Sequence, residues 1–323
     1  MAALSQIPVA VASKSFSRDP RLREELAARY ATIRWNTTGR ALEGDELIAF
    51  LSGHVGAITG LDRLDERVFR SVPELRVVSK YGVGLDMIDL EAARRHGVSV
   101  RWTPGVNCQA VAELTVAFMI GLARRLVPLA SEVRAGVWRQ PGGRQISSAT
   151  IGIVGCGHVG QAVARLCRAF GARVIAYDIR AYDEFYRAHD VTPVDLAMLL
   201  AQSDIVTLHV PLDASTRGMI GGRQLDSMKP AAFLINTARG GVVDEAAVKA
   251  ALRAGQLGGA AFDVFLNEPP LDLELVGMEN VIATPHIGGS TEEAVLAMGR
   301  AAIAGLEGAP ETVDLTANVS PTI

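Results

Sequence analysis

The chain has 323 residues, enough to bury a large core and more than a single domain usually needs. Its 49% hydrophobic and 21% charged residues are ordinary for a globular protein, and a net charge of −3 excludes the basic field that nucleic-acid binding requires. The most apolar stretch, Ala110 to Ala123, carries Glu113 and falls short of the ~18–20 apolar residues of a spanning helix, so no membrane partner is expected.

The start, "MAALSQIPVAVASKSFSRDP", has no basic segment before an apolar core, so no signal peptide is expected. Short apolar runs then alternate with amphipathic stretches. "PVAVAS" (8–13), "ATIRW" (31–35), "VGAIT" (55–59), "LRVVSKYG" (75–82) and "VSVRW" (98–102) predict buried strands. "RLREELAARY", "GDELIAFLSG" and "DLEAARRHG" predict helices between them, and this alternation implies a parallel sheet covered on both faces. A long helical pattern follows from Asn107 to Leu126, long enough to bridge two domains. The loop "RQPGGRQISSA" leads into a second alternating series, with strands "TIGIVG", "RVIAYD", "IVTLHV", "AFLINTA", "GAAFDVF" and "VIATPH". Six strands are the number of a complete dinucleotide-binding sheet. Residues 291–308 predict a last helix, and the polar, Pro-interrupted tail after it gives no clear element. Cys108, Cys156 and Cys167 have neither disulfide-framework nor metal-ligand spacing, which predicts a reducing cytoplasm and no metal.

"GIVGCGHVG" puts a glycine turn between an apolar strand and the amphipathic helix "QAVARLCRAFG". Gly155 permits the tight turn, Gly157 lets backbone N–H groups approach a pyrophosphate, and Gly160 allows close helix–strand packing. The diphosphate then lies on the positive end of the helix. Asp178 ends the next strand, where its carboxylate accepts from ribose hydroxyls and repels a 2′-phosphate. NAD is therefore the expected cofactor; Arg180, two residues on, keeps NADP as the alternative.

Three ionisable residues fall at the carboxyl ends of later strands, where ligands gather in open α/β sheets. They are Arg239 in "LINTARGG", Glu268 in "AAFDVFLNEPP" and His286 in "VIATPHIGGST". Oxidising a hydroxy acid needs a base for the hydroxyl proton, a cation for the carboxylate and a hydride acceptor. An imidazole suits the first task, a guanidinium the second, and a carboxylate beside the imidazole fixes its tautomer and favours its charged form.

These motifs, with "KYGVGLDMIDLEAA", "TPGVNCQAVAELT", "SDIVTLHVPLDASTRGMI" and "MKPAAFLINTARGGVVDEAAV", resemble the D-isomer-specific 2-hydroxyacid dehydrogenases, most closely their phosphoglycerate-dehydrogenase-like branch. The resemblance covers roughly residues 8–308. It implies an α/β chain of two Rossmann-like, doubly wound parallel-sheet domains with the active site in the interdomain cleft. The substrate domain is discontinuous (1–102 and 291–323) and the NAD-binding domain is 103–290. It gives Arg239, Glu268 and His286 the catalytic roles argued above, and implies a homodimer through the bridging-helix region.

The resemblance also implies that the amides of Val83 and Gly84 hold the substrate carboxylate and that Asn107 lies near the substrate. Thr103, His158, Val159, Val210, Thr237, Ala238 and Asp263 become cofactor contacts, Asp263 near the nicotinamide carboxamide. Met87 stands where the family's substrate loop commonly has Asn. Lys80 matches a basic residue that faces the substrate phosphate in phosphoglycerate-type relatives, and Lys14 follows the first strand. A 2-hydroxy acid with a second anionic group, such as 3-phosphoglycerate, is thus expected ahead of glyoxylate, hydroxypyruvate or a plain D-2-hydroxy acid. Motifs for formate or phosphite oxidation are missing. A non-catalytic NAD-sensing corepressor is the alternative from a different class.

Overall fold

Strand-forming runs too apolar to face water are gathered into two all-parallel sheets. The computed structural model describes residues 4–307. It divides into two units: Met1–Asn107 together with Glu292–Ile323, and Cys108–Thr291. The tail beyond residue 307 lies outside the described residues.

In the first unit β1 (Val9–Val11), β2 (Ile33–Trp35), β3 (Gly56–Thr59), β4 (Val77–Lys80) and β5 (Ser99–Arg101) form a sheet of order β2-β1-β3-β4-β5. All five are segments that the apolar runs predict. The order reverses between β1 and β3, the doubly wound pattern. Two short helices escaped sequence reading, Lys14–Arg18 and Glu66–Ser71. Each is too brief to show a period, and each is started by one cap: Ser13 accepts from the Phe16 amide, Asp65 from that of Val68. The last helix, Glu292–Leu306, belongs to this unit and buries Ala294, Met298, Gly299, Ala302 and Ile303. Two glycines let it lie close: a Cβ on Gly299 would strike Leu22, and one on Gly305 would strike Ser79.

The second unit holds seven strands, one more than expected: β6 (Thr150–Val154), β7 (Arg173–Tyr177), β8 (Val191–Pro193), β9 (Ile205–Leu208), β10 (Ala232–Asn236), β11 (Leu257–Phe262) and β12 (Val281–Ala283). Their order is β12-β11-β10-β9-β6-β7-β8. The missed strand is β8, three residues with one buried side chain, at the sheet edge where its proline costs no ladder bond. Alternation along the strands divides the core in two. Ile151, Ile153, Val174, Ala176, Ile205 and Ile235 enter one buried cluster, while Val154, Ile175, Val206, Leu208 and Leu234 enter the other.

The predicted long helix ends at Ala123, close to its expected end at Leu126, and a second helix that sequence reading missed comes after it. Cys108–Ala123 is buried along most of its length, and Leu126–Arg134 follows after Arg125 takes a left-handed φ of 51°. The second has no buried residue. No helix among the described residues is long and apolar enough to cross a membrane.

Candidate active site

Every chemically suggestive group of the second unit lies just past the carboxyl end of a strand. After β6 the chain turns at Gly155 (φ 90°), where a Cβ would come within 2.6 Å of the His209 carbonyl oxygen. Gly160 sits on the turn so closely that a Cβ would collide with the Gly155 carbonyl oxygen. Gly157 caps the helix His158–Ala169 without a side-chain bond, no acid lies in its first turn, and space around the Gly157 Cα is open. Exposed His158 and half-buried Val159 form that first turn. An uncapped helix start with a bare glycine before it is a cradle for a diphosphate, so the residues fit a dinucleotide.

Asp178, one residue past β7, turns its carboxylate on to this cradle. Oδ2 accepts from the Cys156 amide at 2.6 Å and Oδ1 from the Arg180 amide at 2.8 Å. Past β9 come His209 and half-buried Val210. Sequence reading passed over His209, whose Nε2 lies 3.0 Å from Thr207 Oγ1. Burial pushes this imidazole down to about 3, so it is neutral beside the glycine turn.

Beyond β10, Asn236 folds back to shape the Arg239 turn: its Nδ2 donates to the Arg239 carbonyl (2.8 Å) and its Oδ1 accepts from the Ala238 amide (3.1 Å). Buried Thr237 meets Thr115 of the helix Cys108–Ala123 through their hydroxyls at 2.9 Å. The half-buried Arg239 guanidinium donates back to the Ala238 carbonyl at 2.8 Å. Asn236 and Thr115 carried no sequence signal, because an Asn at a strand end or a Thr inside an apolar helix is usual in any fold.

Glu268 follows β11 and His286 follows β12, and the fold joins them: His286 Nδ1 lies 2.8 Å from Glu268 Oε2, each side chain 36% exposed. Burial by itself would raise the Glu268 carboxyl. The His286 hydrogen bond and charge, the Phe265 amide and the Arg239 charge outweigh it and hold Glu268 below its usual range. An ionised carboxylate only accepts, so Nδ1 carries the hydrogen and Nε2 is the ring atom left to exchange a proton. The segment bearing Glu268 is tethered by Glu245, whose Oε1 accepts from the Leu266 amide at 2.6 Å. Asp263 is 1% exposed, with its carboxylate bonded to Thr284, Ile287 and Gly288.

The remaining predicted residues belong to the first unit. Lys80 ends β4 and is 5% exposed, its Nζ donating to the Gly60 carbonyl. Asp62 holds the same turn from the other side, accepting from the Gly60 amide at 2.9 Å. Val83 and Gly84 lie half-buried in the loop after β4, and Thr103 is exposed. The Asn107 amide oxygen is buried without a hydrogen-bond partner. Cys108, Cys156 and Cys167 are free thiols, and burial pushes Cys156 up to about 11.

Residues 116–288 match the family model described as "D-isomer specific 2-hydroxyacid dehydrogenase, NAD binding domain". The chain is 40% identical to a glyoxylate reductase of Thermococcus litoralis over 72% of this chain and 73% of that one. To a D-3-phosphoglycerate dehydrogenase of Archaeoglobus fulgidus it is 39% identical, over 73% of this chain and 46% of that longer one. A hydroxypyruvate reductase of Thermotoga maritima is 35% identical over 81% and 87%. Among solved structures, D-lactate dehydrogenase from Aquifex aeolicus, complexed with NAD and lactic acid, superposes with a TM-score of 0.81 at 27% identity, over 92% of this chain and 93% of that one.

Proposed function

The chain belongs to the D-isomer specific 2-hydroxyacid dehydrogenase family, an NAD-dependent oxidoreductase of 2-hydroxy acids, and from that premise we propose which of its residues perform the reaction. NAD, when bound, supplies the hydride acceptor, and the uncapped helix start after Gly157 takes its diphosphate while Asp178 takes the adenosine ribose. Arg239 clamps the substrate carboxylate with its planar fork. His286 exchanges the hydroxyl proton through Nε2, and Glu268 orients the ring and stabilises imidazolium. The observation that carries this is the 2.8 Å His286–Glu268 bond on the sheet edge that also bears Arg239 and the glycine turn. Thr103, His158, Val159, Val210, Thr237, Ala238 and Asp263 complete the cofactor contacts, and Val83, Gly84 and Asn107 of the first unit, the substrate domain, receive the acid.

Two substrate readings follow from Lys80. A second anionic group, as in 3-phosphoglycerate, is supported by a lysine at a strand's carboxyl end in a chain with only four lysines. Glyoxylate or hydroxypyruvate is favoured by the ammonium's burial and its bond to the Gly60 carbonyl, which make Lys80 part of the turn's architecture. Turnover of a panel of 2-oxo acids with NADH, for wild type and Lys80→Ala, separates them. A substrate-facing Lys80 predicts a loss of kcat/KM of roughly 10- to 150-fold confined to the doubly anionic acid, the worth of one hydrogen bond to a charged group. An architectural Lys80 predicts equal losses for every acid. We also infer a homodimer, supported by the unburied helix Leu126–Arg134 with its exposed Leu126, Val127 and Val133, and a cytoplasmic protein, supported by three free thiols.

A further inference from the structure

We propose that Asp263 is a positioning residue, holding the loop 284–288 in the one conformation that brings His286 to Glu268. Four hydrogen bonds converge on it from that loop. Its Oδ1 accepts from Thr284 Oγ1 at 2.6 Å and from the Ile287 amide at 2.8 Å, and its Oδ2 from the Gly288 amide at 2.8 Å. Its backbone carbonyl accepts from the His286 amide at 2.9 Å. His286 itself stands at φ 56°, a left-handed conformation uncommon for a residue that carries a side chain. The residues on either side of that strained position are the ones Asp263 ties down.

Burial makes the arrangement specific. The carboxylate is 1% exposed, and a buried charge is tolerated only with its hydrogen bonds made, so the loop cannot leave without stranding it. Oδ2 also lies 3.0 Å from where a Gly288 Cβ would stand, which leaves no slack on that side. The consequence is that the His286 ring, itself 36% exposed, owes its place to a side chain that water hardly reaches. A carboxylate so engaged contributes to catalysis through His286 geometry, in addition to the nicotinamide contact that the family resemblance implies for it.

The proposal rests on His286 as the proton-transfer group. Its test compares Asp263→Asn and Thr284→Val with wild type in three readouts: kcat, NADH affinity by fluorescence titration of the substrate-free protein, and the pH–rate profile. Asp263→Asn presents a donor to the Gly288 amide and should lower kcat roughly 10²-fold, the cost of an ångström-scale misplacement. Thr284→Val removes one bond to the charged group and should lower kcat on the order of tenfold. In both, the His286 limb of the pH profile should move in the same direction as in Glu268→Gln, because each separates the ring from the Glu268 charge. A loss that appears as weakened NADH binding with kcat intact overturns the proposal, as does an unmoved pH limb. If Asp263→Asn does not fold, Thr284→Val decides by the same readouts. Normal turnover by His286→Ala overturns the catalytic reading itself, whereas a damaged His286→Ala beside unaffected Asp263 and Thr284 variants overturns this inference alone.

Discussion

His286 and Glu268 divide one task. In the proposed reaction the ring moves a proton at Nε2, and the carboxylate fixes the tautomer by receiving Nδ1–H at 2.8 Å. Removing the ring should lower kcat by ~10²–10⁴-fold, the usual worth of a positioned acid or base, with NADH binding nearly unchanged. Glu268→Gln keeps the shape and removes the charge that favours imidazolium, so the His286 limb of the pH–rate profile should move to lower pH. Steady-state rates across pH 5–9 check both; an unmoved limb in Glu268→Gln would mean that this contact is only steric. Glu268, Arg239 and His286 were legible from residue type and position at strand ends. Asp263 and Glu245 as braces were not, because their partners are backbone amides of segments far along the chain, and an amide has no sequence signature.

Helices in both units are fixed by acids at their starts, and one such acid also ties two helices together. Glu66, at the start of Glu66–Ser71, meets Arg95 and, at 2.7 Å, His96 at the end of Leu90–Arg95. The His96 hydrogen bond, then that of Arg95, pulls the Glu66 carboxyl down to about 2. A carboxyl depressed on folding adds stability that is fully present above its unfolded value of ~4.3 and is lost as pH falls through the folded value. The difference in Tm between wild type and Glu66→Gln should therefore narrow steadily as pH falls from about 5 towards 2. Thermal unfolding followed by circular dichroism measures it, and a constant difference would show that the contact is not electrostatic. Solvent screening keeps the effect small, since both side chains are well exposed. At this scale sequence reading found every strand except β8, a Val-Thr-Pro edge segment with one buried side chain, and missed the helices Lys14–Arg18, Glu66–Ser71 and Leu126–Arg134.

For the molecule as a whole, a helix without one buried residue stands out. Leu126, Val127 and Val133 on it, with Val137 and Trp138 just after it, are each at least 47% exposed, and Trp138 is 80% exposed. An amphipathic helix is stabilised mainly by burying its apolar face, and this one offers such a face to the homodimer proposed above. Val127→Lys combined with Val133→Lys should halve the mass seen by light scattering at micromolar concentration. A wild-type chain that is already monomeric there would sink the homodimer reading.

What the sequence determined by itself is whatever depends on local pattern. Apolar runs of strand length alternating with amphipathic stretches require parallel sheets, since only helices on both faces cover such strands. A glycine turn between strand and helix has room for a diphosphate, since the backbone there has no Cβ to keep a ligand away. The motifs therefore carried the two-sheet fold and the NAD cofactor, and they singled out the three charged residues to which the proposed reaction is assigned. Only the tertiary structure decided what depends on contacts between distant segments. It brought Glu268 within hydrogen-bond reach of His286 across two strand ends. It buried Lys80 against the Gly60 carbonyl, where the sequence suggested a residue turned to substrate. It also added the helix Leu126–Arg134 after the left-handed turn at Arg125, a segment with no buried face for a sequence pattern to record.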